Sequence, residues 1–327
     1  MVNRPIQLAR KKPKASFLRE IARNHPYYLM ILPAAAIYFL LAYLPLPGLL
    51  MAFKEFKVSD MLYGLNSRWS QPLLKHFTYY FKSVYFLRTT LNTLWINFNY
   101  LVWTTLFNVG FAIMLNEIRS KFAVRVYQNA MFLPYFFSAI IISQVVDIII
   151  LSTNYGLANQ ILTLLGMQSV DWVNTPGPWV AIIVLTKLWQ TTGYGVIIYL
   201  ATIAGIDEEL YEAAALDGAG RWAKIRRITL PMLLPAIIML SLLSIGQMFF
   251  GDFSMIYALT TPGANANNTM LFSTTDVIET YIFRAVRQNF DFSTTTAIGM
   301  YQSIVGFILV FGSNKLVKLY DKDYALF

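Results

Sequence analysis

The sequence predicts an all-α polytopic membrane protein with six transmembrane helices and both termini cytoplasmic. Three observations carry that reading. Of 327 residues, 57% are hydrophobic and 13% charged, about half the charge of an ordinary soluble domain. The charges fall between long uncharged runs instead of being scattered. The basic residues are divided unequally between the two sets of connections. Such a chain is a poor candidate for a soluble enzyme, a disordered segment or a secreted scaffold. With no cysteine, disulfides, thiolate metal sites, cysteine nucleophiles and cysteine lipidation are excluded.

Each span rests on one run, because lipid offers a helix backbone no partner and about 20 apolar residues are needed to cross it. Tyr27–Phe53 carries no charge, nor do Thr89–Asn116 and Phe292–Asn314. Val126–Leu151 is broken only by Asp147, Trp172–Ile206 only by Lys187, and Ile228–Thr275 only by Asp252. Within that last run Gly263 and the asparagines at 265, 267 and 268 end the apolar part near Thr260. The predicted helices are 27–53, 88–116, 126–151, 178–204, 229–259 and 294–319.

Orientation follows from the loops. The N-terminal tail holds Arg4, Arg10, Lys11, Lys12, Lys14, Arg19 and Arg23. The same side receives Arg119, Lys121 and Arg125, then Arg221, Lys224, Arg226 and Arg227, then Lys315, Lys318 and Lys322. The opposite side has Lys54, Lys57, Arg68, Lys75, Lys82, Arg88, Arg284 and Arg287. The richer side is cytoplasmic. The chain divides into a basic tail (1–26), a first span (27–53), an extracellular loop (54–87), a core of five spans (88–319) and a short tail (320–327). The first run reads as a retained span and not a cleaved signal, since its leader and apolar core are long. Residues 16–24 read as a solvated basic anchor. The aromatic 54–87 loop suits the headgroup interface, and Thr261-Pro262-Gly263 reads as a turn.

The cytoplasmic loop 205–228 contains a short helix. Asp207 caps its start, Glu208 and Glu209 complement its dipole, and Gly218 stands where a left-handed residue ends it. Ala213, Ala214 and Ala215 leave it a smooth face.

Glu212-Ala213-Ala214, Gly218, Ile228 and Leu230-Pro231 resemble, position by position, the EAA loop of binding-protein-dependent ABC importer permeases. Leu188-Trp189, Gly193, Tyr199-Leu200-Ala201 and Ile206 resemble the run into that loop in carbohydrate-uptake members. So do Gly156-Leu157-Ala158-Asn159, Leu162, Gly166 and Trp172 before it, and Leu91-Asn92-Thr93-Leu94 at the start of the core. Leu32-Pro33, Tyr43, Pro45, Gly48 and Ala52-Phe53 resemble the complex-oligosaccharide group, of aldouronate or rhamnogalacturonan type.

The resemblance implies an ABC type I importer permease fold and a transport subunit, not an enzyme. It implies a second related permease subunit, two cytoplasmic ATPases, an extracellular solute-binding protein and an oligosaccharide substrate, with a bacterial cell membrane as location. Glu212, Ala213, Ala214 and Gly218 would be the contacts to the ATPase, flanked by Asp217 and Arg221. ATP and Mg would sit on the partner ATPases. This chain has no Gly-rich phosphate loop, and His25 and His76, its two histidines, suggest no metal site. An importer of another solute class would share the loop and is the alternative. A secondary transporter would leave the loop unexplained and should show inverted repeats.

Charges within spans face a bundle interior or an aqueous cavity. Lys187 therefore either meets a sugar or pairs with Asp147 or Asp252. Sugar sites combine aromatic faces with hydrogen-bonding rims, which Trp189, Gln190 and Tyr194 offer on the fourth span and Gln247, Phe249 and Asp252 on the fifth. The spacing of three and four suggests that Lys187 shares a face with Gln190 and Tyr194.

Overall fold

A computed structural model of the chain describes residues 23–60, 64–152, 156–172, 174–261 and 269–322. The basic tail up to residue 22, the turn at 262–263 with the asparagines that follow, and residues 323–327 lie outside that set, as does most of the 16–24 anchor. Among the described residues there is no strand and five helices are long and apolar enough to cross a membrane, or six if one bent pair is a single span.

The first span begins as α1 (His25–Tyr38), widens at Phe39–Tyr43 and then narrows into a tight helical stretch at Leu46–Phe53. None of the residues of α1 is buried. In the following loop, α2 (Lys75–Phe81) precedes α3 (Val84–Asn116), the second span. The third span is bent. α4 (Lys121–Phe132) runs on through a tight turn at Leu133–Phe136 and meets α5 (Ala139–Val145) at 106°. Pro134 starts that turn, and the Ser138 hydroxyl caps α5 by accepting from the Ile141 amide.

After α6 (Leu157–Leu164) comes the fourth span, α7 (Trp179–Ala204). α8 (Glu208–Leu216) and α9 (Arg221–Lys224) form the predicted loop helices, and α10 (Leu230–Gly246) carries the fifth span. That span is not the continuous 229–259 helix the composition suggests. It stops at Gly246 and restarts as α11 (Phe253–Thr260). α12 (Phe272–Thr275) and α13 (Ile278–Asn289) lead to the sixth span, α14 (Phe292–Tyr320).

α3 and α7 lie against each other along the molecule. Two apolar clusters grip α7 at opposite ends. Trp179 and Ile183 join Ile96, Ile142, Met255 and Ile256, while Val196, Tyr199 and Ile203 join Val109, Ala112, Leu115 and Leu233. Burial at this scale, about 25 cal/mol per Å² of apolar area, fixes both ends and leaves the middle of α7 for other uses. Close approach there needs small residues. Gly193 lies on the Met131 backbone of α4, and Gly195 lies on Asn108 of α3.

Within the aromatic 54–87 loop Tyr79, Phe81 and Tyr85 are exposed, but two residues turn inward. Tyr80 is buried, its hydroxyl 2.9 Å from the Thr89 hydroxyl, and it packs with Phe249, Ile278 and Ile298. Lys54 is buried too. Its ammonium donates to the Gly64 and Leu65 carbonyls at 3.1 and 2.6 Å and lies under the Trp69 ring. A cation beside carbonyls and a ring face needs no bulk water, so a basic residue counted as exposed became core.

Gly193→Ala should cost about 1–3 kcal/mol by overpacking, because the neighbour is backbone and cannot rotate away. The thermal midpoint in detergent should drop by several degrees. Gly110→Ala, whose new methyl would meet nothing within 4 Å, should be neutral or slightly stabilising. Equal effects at the two glycines would contradict this packing.

Candidate substrate path and coupling loop

A backbone that leaves the helix inside a membrane must find partners for its freed carbonyls and amides. Between Gly246 and Phe253 the carbonyls find those partners in side chains from two spans, and the Gln247, Met248 and Phe250 amides in backbone turns. Asn97 on α3 donates its amide to the Met248 and Phe250 carbonyls at 2.9 and 3.0 Å. Gln302 on α14 donates to the Phe249 carbonyl at 2.6 Å and to Glu279 Oε1 at 2.8 Å. Three consecutive carbonyls are thereby satisfied. On the other side of the break, Asp252 caps α11, its Oδ1 accepting from the Met255 amide at 3.1 Å. Its Oδ2 is left for Lys187 of α7, and the two form an ion pair with side chains 25% and 33% exposed. Lys187 thus takes Asp252 as its partner. Asp147, the other acid considered for it, has no ion pair among the described residues.

This pair faces a cavity of about 560 Å³ between α3, α7, α10 and the break. Asn97, Tyr100, Thr104 and Ser244 give it a polar rim, with Leu101, Ile183, Ile198 and Leu243 as apolar wall. The Tyr100 hydroxyl lies 2.9 Å from that of Thr191, one turn below Lys187. The size lies in the range of ligand sites. Apolar walls with a hydroxyl and carboxamide rim match a pyranose, which has apolar faces and a polar edge.

Of the residues expected on the path, Lys187, Gln247 and Asp252 line this cavity, whereas Trp189, Gln190 and Tyr194 do not. Gln190 and Tyr194 instead have partners at the elbow of the third span. Gln190 donates to the Phe137 carbonyl at 3.1 Å, at the elbow of the third span, and Tyr194 stacks on Tyr135 there with ring centroids 4.9 Å apart. The reason is angular. Around the helix Gln190 falls about 60° behind Lys187 and Thr191 about 40° ahead, while Tyr194, seven residues on, falls only about 20° behind and is held at the elbow by its stacking on Tyr135. Asp252 draws Lys187 toward the Thr191 and Gly195 side, while the elbow claims the other. Asn97, Glu279 and Gln302 were not singled out from the sequence. Asn97 and Gln302 are uncharged amides within apolar runs of the second and sixth spans, and the polar residues weighed were those on the fourth and fifth. Glu279 lies in a polar segment outside the spans, where burial raises its pKa above the usual carboxylate range despite the donation from Gln302.

The cytoplasmic loop has the expected local chemistry. Asp207 Oδ1 accepts from the Glu209 amide at 3.0 Å, and Gly218 takes φ 76° with the Ala219 amide closing on the Ala214 carbonyl at 2.8 Å. Glu212, Ala213, Asp217, Gly218 and Arg221 are exposed, and Ala214 is half-buried. Two contacts anchor this surface. The Tyr211 and Thr229 hydroxyls are 2.9 Å apart, tying α8 to the root of the fifth span, and Arg221 Nε stands 4.0 Å from Glu117 just after α3. The first contact holds α8 and the second holds the start of α9. Among the described residues no three His, Asp or Glu side chains gather where a metal would bind.

Residues 104–320 match the family model of the binding-protein-dependent transport system inner membrane component. The chain is 30% identical over 308 residues to Protein LplB of Bacillus subtilis, covering 94% of this chain and 93% of that one. It is likewise 30% identical over 314 residues to the polygalacturonan/rhamnogalacturonan transport system permease protein YteP of the same organism, covering 96% and 94%. Among solved structures it resembles a chain of a bacterial alginate ABC transporter in complex with alginate pentasaccharide-bound periplasmic protein. That likeness has TM-score 0.81 and 31% identity, over 94% of this chain and 98% of that one. A second structure, of a bacterial ABC transporter involved in the import of the acidic polysaccharide alginate, matches at TM-score 0.81 and 30% identity over 93% and 99%. With five or six apolar spans among the described residues, a loop helix tied to the root of the fifth and a family match over most of its length, the chain belongs to the inner-membrane permease subunits of binding-protein-dependent ABC transport systems.

Proposed function

We propose that this chain is one of a pair of related permease subunits that import an acidic oligosaccharide, derived from a larger polysaccharide, across a bacterial cell membrane. An extracellular solute-binding protein delivers the sugar, and two cytoplasmic ATPases drive the cycle, binding ATP and Mg themselves. The observation that carries the substrate class is the cavity with Lys187 and Asp252 on its wall. The pair is neutral as a unit. A carboxylate on the sugar competes with Asp252 for the lysine, and sugar hydroxyls take up the Asn97, Tyr100, Thr104 and Ser244 rim. The names of the relatives, on alginate and on polygalacturonan/rhamnogalacturonan, support an acidic polymer as the source.

Coupling runs through α8. Glu212 offers a carboxylate to basic groups on the ATPase, Ala213 and Ala214 allow close approach, and Asp217, Gly218 and Arg221 complete the edge of the contact. Closure of the two ATPases then swings α8, and with it the spans lining the cavity, between inward- and outward-facing states. Both chain ends lie in the cytoplasm in this arrangement.

Uptake into vesicles holding the assembled transporter tests both halves. Lys187→Gln should raise KM for a trigalacturonate about tenfold or more, the scale of one charge-assisted hydrogen bond, and leave the carboxyl-reduced neutral trisaccharide nearly unchanged. Equal losses for both sugars would remove the lysine from carboxylate recognition. Glu212→Lys or Gly218→Asp should leave the chain inserted at normal levels while sugar no longer stimulates ATP hydrolysis. Normal coupling in both variants would separate α8 from the ATPase.

A further inference from the structure

Glu279 lies outside the transmembrane runs yet is buried against the break in the fifth span. It approaches that break in two ways. Its Oε1 accepts from Gln302, whose amide also holds the Phe249 carbonyl. Its Oε2, buried and without a hydrogen-bond partner, lies against Gly251, where a Cβ would come within 2.5 Å of it. Gly251 therefore has no side chain for a reason beyond flexibility, since a carboxylate oxygen fills that space. The next residue is Asp252, which holds Lys187. Asn97 braces the same break from the α3 side, so the Glu279–Gln302 pair is the support on the side of α13 and α14.

We propose that Glu279 is a positioning residue of the sugar path: acting through Gln302 and the Gly251 backbone, it sets where Asp252 presents its carboxylate and hence how firmly Lys187 is held. This rests on the reading of the cavity as the substrate path. Glu279 does not itself line the cavity; it meets the back of the lining residue Gly251. Its effect reaches the sugar through the charged pair, where displacement of a supported group by a fraction of an ångström is enough to weaken binding.

The test is a mutant cycle in vesicles holding the assembled transporter, with trigalacturonate uptake as the readout. Glu279→Ala should raise KM about tenfold and change the maximal rate little. Glu279→Gln, which keeps an oxygen for Gln302, should restore KM to near the wild-type value. Gly251→Ala should reproduce the defect by pushing Glu279 away, and should add nothing in the Glu279→Ala background. In the Lys187→Gln background Glu279→Ala should likewise have no further effect, because the pair it supports is already gone. Should Glu279→Ala fail to reach the membrane, Glu279→Asp shortens the side chain by one methylene and should give a smaller rise in KM.

A merely structural role would instead lower the amount of transporter or its rate, add fully to Lys187→Gln, and not be rescued by glutamine. Any of these results overturns the proposal. If Lys187→Gln lowers affinity while the Glu279 variants leave KM unchanged, the positioning role alone falls. If Lys187→Gln has no effect, the cavity reading falls and the proposal falls with it.

Discussion

A helix that ends among packed spans must satisfy the backbone groups it exposes, and this structure is organised around doing so at Gly246–Phe253. Unpaired peptide groups in lipid cost several kcal/mol each, so the break persists only because Asn97, Gln302 and Asp252 replace the missing helical bonds. Each of those side chains must be held at a fixed height on its own helix. The α3–α7 contact, the seating of α14 and the burial of α13 against the break follow from that requirement. The third span meets the same constraint at its elbow, where Gln190 donates to the Phe137 carbonyl. Carboxamides in apolar helices mark the places where other spans are interrupted.

The break also explains how charge came to lie in the middle of the chain's apolar core. Asp252 is first a helix cap; its second oxygen is then free to hold Lys187 without an additional buried acid. The two apolar clusters grip α7 above and below that level, so the polar middle is a gap between them and not a fault in the packing. A cavity forms there with one cation on its wall, neutralised by a carboxylate that an incoming acidic group can replace. At the cytoplasmic end, Tyr211 fastens α8 to the root of the fifth span, and Arg221 at the start of α9 stands 4.0 Å from Glu117 just after α3.

Much of this was legible in the residues. Uncharged runs located the spans, because the lipid constraint acts on composition directly. Asp207 and Gly218 marked the ends of α8, since capping chemistry is local. What was not legible depends on which residues meet in three dimensions. The run from Ile228 to Thr260 is apolar on both sides of the break, and Gly251-Asp252 looks like a single intrusion until Asn97 and Gln302 are seen to approach it. Lys187 lies within one turn of both Thr191 and Gln190, and only the position of Asp252 decides which face it joins. Lys54 and Tyr80 read as surface residues because the carbonyls and rings that receive them lie elsewhere in the chain. Each miss was a tertiary contact between residues whose local sequence was correctly read.

The most direct test is a cryo-electron microscopy structure of the assembled transporter with an acidic oligosaccharide trapped in the membrane region. The account predicts ordered sugar between α3, α7 and the fifth-span break, its carboxylate within hydrogen-bonding distance of Lys187 Nζ. Asn97 and Gln302 should still hold the Met248, Phe249 and Phe250 carbonyls. Sugar lodged instead on the Trp189–Tyr194 face, with the Lys187–Asp252 pair intact and the cavity empty, would contradict it.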